Sequence, residues 1–109
     1  MRASNDDAID EVIRAQQLCE SLAVRYTADL AVFDGENGTS MAPQFHREVL
    51  EPVQREEYRS ATVGLGKFTA DFLNDDPLLR MDFTGLTSVL LPVLLVLDNA
   101  QQNGLDTSE

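Results

Sequence analysis

From Ile9 to Phe33 the chain carries Ile9, Val12, Gln16, Cys19, Ala23, Tyr26, Leu30 and Phe33, separated alternately by three and four residues. That spacing puts all of them on one stripe of an α-helix and keeps them there for more than three heptads. The stripe predicts one N-terminal helix spanning about residues 5–33, roughly 45 Å long at 1.5 Å per residue. Ser4 is placed to cap it, with Asp6 and Asp7 suiting the positive end of its dipole. Asp10 and Arg14 are spaced for an i,i+4 pair.

A competing period runs through the second half of this stretch. Val24, Tyr26, Ala28, Leu30 and Val32 alternate with Arg25, Thr27 and Asp29, as a half-buried strand would. A strand needs a partner, and Thr39-Ser40-Met41-Ala42-Pro43 is a poor one. The helix is therefore the better expectation.

Residues 34–43 read as a loop, since Asp34-Gly35 and Asn37-Gly38 permit left-handed backbone and Pro43 prepares a new helix start. Gln44 to Glu51 reads as helix up to Pro52, which lacks an N–H and either kinks the helix or opens another. Tyr58, Ala61, Leu65, Phe68 and Phe72 then repeat the three-four spacing. Gly64 and Gly66 weaken that helix and mark either a close crossing of backbones or a break. Asp76-Pro77 is a cap followed by a first-turn proline. An interruption at Thr84-Gly85 and a last helix from Leu86 to about Gln102, ended by Asn103-Gly104, complete the reading.

The expected fold class is all-α: a small bundle built on the long N-terminal helix, in an antiparallel hairpin with a kinked second helix, plus an apolar C-terminal helix. The expected organisation is one domain over residues 1–109, with a flexible tail at 105–109.

Chemistry-bearing residues are scarce. His46 is the single histidine, and Glu48, two residues on, points to another side of a helix, so a surface or capping role is expected. Cys19 sits in the apolar seam, where a thiol packs as a small hydrophobe. One cysteine closes no internal disulfide, and no Cys/His pairing for zinc is present. Gly64-Leu65-Gly66-Lys67-Phe68-Thr69 has Phe68 where a phosphate loop needs Ser or Thr after its lysine. Asp34-Gly35-Glu36-Asn37-Gly38 lacks the terminal bidentate glutamate of a calcium loop. Glu48, Glu51, Glu56 and Glu57 are interleaved with Arg47, Arg55 and Arg59, which reads as a solvated, ion-paired face. No catalytic, cofactor or metal residue is assigned, and an enzyme is not expected.

Nineteen acids against eight bases give a net charge of -11. With one lysine and seven arginines spread among acids, the chain lacks the basic surface that counterion release requires, so direct nucleic-acid binding is not expected. The balance instead suits a high-GC or halophilic source, where salt screens acidic self-repulsion. The N-terminus carries no signal-peptide pattern, so a cytoplasmic or virion setting is expected. The apolar run Leu86–Leu97 falls short of the about 20 residues that cross a bilayer, giving an expectation of no membrane span.

That run is apolar almost all round, so something must cover it. Val89, Leu90, Val93, Leu94, Val96 and Leu97 are accordingly the interface candidates. Gln16 joins them, because a polar side chain in an apolar seam either sets register or oligomer state, or lies at the seam's edge. The expected function is a non-catalytic helical interaction or assembly protein, a homo-oligomer or part of a virion or regulatory assembly. An acidic inhibitor that mimics nucleic acid toward a basic partner is the alternative, weakened by the arginines that break up the acidic faces.

Overall fold

The computed structural model describes residues 2–104, with side chains from residue 9 onward. Five α-helices follow in order: α1 (Arg2–Asn37), α2 (Ala42–Phe45), α3 (Glu51–Gln54), α4 (Tyr58–Phe68) and α5 (Pro77–Gln102). A π-helical turn at His46–Leu50 joins α2 to α3, and a second at Thr69–Leu73 prolongs α4, so the chain forms four rods. No strand occurs among the described residues, and 24–33 is helix.

The rods run up, down, up and down. Tyr26 of α1 meets Thr87 of α5, Phe33 packs on Phe83, and Gln101 near the end of α5 reaches the turn before α4, which also faces Gln16. α1 and α5 are therefore antiparallel, and the described bundle measures 54 × 19 × 19 Å. The fold is the all-α bundle that the two seams predict.

Both seams face the core. Val12, Cys19, Ala23, Tyr26, Leu30 and Phe33 are buried, as are Tyr58, Ala61, Leu65 and Phe68, while Ile9, Gln16 and Phe72 are half-buried. The core centres on Tyr26, which stacks on Phe45 at 4.2 Å and on Phe83 at 5.1 Å and meets the edge of Phe68 at 6.1 Å. Its hydroxyl is satisfied by Thr87 Oγ1 at 2.7 Å. Offset-stacked and edge-on rings add about 0.5–1.5 kcal/mol per pair beyond area burial, so this cluster fixes the relative height of the rods.

Pro52 accounts for the first π turn. In an α-helix residue 52 would donate an N–H to the Glu48 carbonyl, but proline has none, and its ring would press on that same oxygen. The backbone takes in one more residue instead, and the Glu51 N–H donates to His46 O, five residues back. The Glu48 carbonyl then faces α4 at Gly64, where an added Cβ would lie 2.2 Å from it. Gly64 thus marks a close crossing of backbones, whereas Gly66 has open space around it.

Three boundaries differ from expectation. α1 continues past residue 33 to Asn37, which shortens the 34–43 loop to 38–41. Asp34 explains the difference: its carboxylate accepts from Thr39 Oγ1 (2.6 Å), the Met41 N–H (2.9 Å) and the Ala42 N–H (2.8 Å), so it caps the following helix from within α1. Burial would raise its pKa, but these three bonds outweigh that and hold it below the usual carboxylate range. Gly38, at φ 69°, makes the reversal. Thr84-Gly85 interrupts nothing: buried Leu79, Phe83 and Leu90 hold α5 continuous through it, and the Thr84 hydroxyl bonds the Arg80 carbonyl within the helix. At the N-terminus the helix begins at Arg2, ahead of Ser4, and the proposed roles of the Ser4, Asp6 and Asp7 side chains lie outside the described residues. The 105–109 tail also lies outside them.

Asp76 caps α5 as expected, accepting from the Leu78 and Leu79 N–H groups at 3.0 and 3.2 Å.

Candidate functional site

α5 carries two apolar stripes. The inner one, Leu79, Phe83, Leu90, Leu94 and Leu97, is buried against α1 and α4. The outer one, Leu78, Met81, Gly85, Val89, Pro92 and Val96, follows spacings of three and four on the other side and is exposed. Met81 is 75% exposed, Leu78 60%, Val96 58% and the neighbouring Leu95 50%. The helix has three charged residues, Arg80, Asp82 and Asp98. Arg80 and Asp98 each stand nine residues from Val89, half a turn off at 100° per residue, whereas Asp82, seven residues away, lies about 20° from Val89 and puts one carboxylate on the outer face.

The structure divides the interface candidates. Leu90, Leu94 and Leu97 fill this chain's own core, Val93 is half-buried beside it, and only Val89 and Val96 point outward. Leu78, Met81 and Leu95 join them, residues that the sequence reading left out. An interruption at Thr84-Gly85 separates Leu78 and Met81 from the rest of the stripe, while Leu95 lies within the expected last helix.

The expectation of no membrane span is corrected. The twelve-residue run is part of a continuous 26-residue helix, and an 18-residue window of it has a mean hydropathy of 1.6. By length and composition α5 can cross a membrane, a test that core helices of soluble proteins also pass. Only 22% of that window is buried inside the bundle. Thr84-Gly85 bounds the apolar run, but a helix carries both residues at little cost because their backbone bonds are made within it.

Gln16 faces its own chain. Its Nε2 lies 3.4 Å from Glu56 Oε1, and its side chain also hydrogen-bonds Tyr58. Glu56 adopts a left-handed φ of 60° in the turn that ends α3. The Glu57 N–H bonds Pro52 O and the Glu56 N–H bonds Val53 O, the pattern of a helix end where glycine is usual. Gln101 donates to the Glu56 carbonyl at 2.7 Å, so α1 and α5 clasp this turn from two sides.

Burial pushes the Cys19 thiol up to about 12, helped by the charge of Glu20, which favours its neutral, unreactive form. His46 Nδ1 meets Glu51 Oε2 at 3.3 Å, a pairing five residues apart that the π turn creates; both side chains are substantially exposed. Glu51 also meets Arg55 at 3.5 Å, as its spacing predicts. The Asp10–Arg14 pair does not form among the described residues, where Arg25–Asp29 forms at 3.7 Å instead. No group of three or more His, Cys, Asp or Glu among the described residues is arranged to hold a metal ion.

No family model, curated protein or solved structure matches this chain. The outer face of α5 therefore has to be read from its own chemistry.

Proposed function

We propose that this chain is a non-catalytic helical interaction or assembly protein, acting as an oligomeric subunit or as a component of a larger complex through the outer face of α5. The observation that carries the reading is the apolar stripe Leu78, Met81, Gly85, Val89, Pro92 and Val96, with Asp82 the one charged residue beside it, which the bundle leaves in water. Covering a Leu, Met or Val fully is worth about 1.5–3 kcal/mol, and several lie in one line on a rigid helix. Each of these residues is part of α5, so binding there orders little that is not already ordered.

Sedimentation equilibrium of the full chain tests it. Self-association, or co-sedimentation with a co-purified partner, is expected, and Met81→Glu/Val96→Glu is expected to abolish it. Both residues are exposed, so the fold should survive. Val63→Glu, at a 65% exposed site on α4, should leave association unchanged. A strict monomer at high concentration that co-purifies with nothing, or a monomer that partitions into neutral lipid vesicles, would overturn the reading.

A further inference from the structure

Away from α5's outer face, residues 39–44 meet the turn at 74–77 and enclose an open concavity of about 560 Å³. That volume lies within the about 300–1,000 Å³ typical of ligand sites. Met41, Phe72 and Pro77 supply its apolar surface, and Asp71, Asp75 and Asp76 surround it. No basic residue lines it.

The three aspartates differ in state. Asp76 Oδ1 is tied to the first two free amides of α5, which anchors that carboxylate at the edge. Asp71 and Asp75 form neither ion pair nor hydrogen bond with other described residues, although Asp34 nearby is fully engaged by its capping bonds. The concavity therefore combines an apolar floor with negative charge that the chain does not neutralise. An anionic ligand is repelled there, and a neutral hydrophobe gains nothing from the carboxylates.

We propose that this concavity docks a basic peptide segment of a partner protein, with one bulky apolar side chain on Met41 and Phe72 and flanking arginines or lysines against Asp71 and Asp75. The net charge of -11 adds long-range attraction for such a segment. The site is separate from the outer face of α5 and stands whether or not that face self-associates.

The test is titration of the full chain with the capped peptide Arg-Arg-Leu-Arg-Arg, followed by backbone amide shifts at low and moderate salt. Shifts confined to residues 39–44 and 71–77 are expected. Replacing the peptide's leucine with glycine should weaken binding about fivefold or more through the lost apolar contact. Asp71→Asn/Asp75→Asn should weaken it about tenfold, while Asp10→Asn/Glu11→Gln, an equal charge change on exposed α1 positions, should cost less than about twofold. Equal effects of the two double variants would show mere attraction to an acidic surface and overturn the proposal. Equal binding of the glycine peptide, or shifts centred elsewhere, would do the same.

Discussion

Gly64 and Gly66 lie two residues apart in α4, and alanine should act in opposite directions at the two sites. Either substitution removes backbone freedom from the unfolded chain and favours helix by about 1 kcal/mol. At Gly66 no atom lies within 4 Å of the new Cβ, so that gain should appear in full. At Gly64 the Cβ would fall 2.2 Å from the Glu48 carbonyl oxygen, 2.9 Å from its carbon and 3.3 Å from its Cβ. Comfortable carbon contacts begin near about 3.5 Å, so the rods must separate by roughly 1 Å. The obstacle is backbone in the π turn before Pro52, which cannot swing aside as a side chain can. Overpacking costs about 1–3 kcal/mol, and a clash this close with backbone belongs at the upper end, about 3, leaving a net loss of about 2 kcal/mol after the helix gain. Far-ultraviolet circular dichroism during urea and heat unfolding measures both variants. Gly66→Ala should raise Tm by about 4–8 °C and Gly64→Ala should lower it by about twice that. A Gly64→Ala variant as stable as the parent would refute the close crossing.

Three further outcomes follow from the caps and the core. Glu56→Gly should stabilise the fold by about 0.5–1 kcal/mol in urea titrations, since glycine bears no left-handed penalty; destabilisation would mean that the contact with Gln16 outweighs the strain. Asp34→Ala should cost about 1–2 kcal/mol through loss of the cap, and because the folded state holds this acid's pKa low, the parent's excess over the variant should be full near neutrality and vanish as pH falls through that lowered value. Burial holds Cys19, Tyr26 and Tyr58 near 12, against ordinary values of 9.0 for the thiol and 10.0 for the phenols. The unfolded chain therefore releases these protons first, and stability should be fully present below about pH 9 and decline toward pH 12, with Tyr26→Phe flattening the decline.

How much was readable from the residues depended on the range of the interaction. The seams of α1 and α4 and the Asp76-Pro77 start of α5 are local patterns, and they appear where the spacing puts them. Asp34 follows no local capping pattern, because the partners of its carboxylate lie five to eight residues ahead. The His46–Glu51 pair was missed because α-helical spacing sets those residues apart, and only the extra residue of the π turn aligns them. The outer stripe of α5 runs across Thr84-Gly85, a local break signal that the packed inner stripe overrides. Gln16 meets a turn forty residues away, a contact that no local spacing rule reaches.

The aromatic cluster also determines how this protein can be watched. The sequence contains no tryptophan and two tyrosines, both buried. Tyr26 sits among three phenylalanine rings at mid-bundle, while Tyr58 lies at the clasped turn with Gln16. Intrinsic emission therefore comes from two reporters at different heights along the rods. With either one replaced by phenylalanine, the other becomes a label-free probe of whether the turn at 55–57 opens before the centre does.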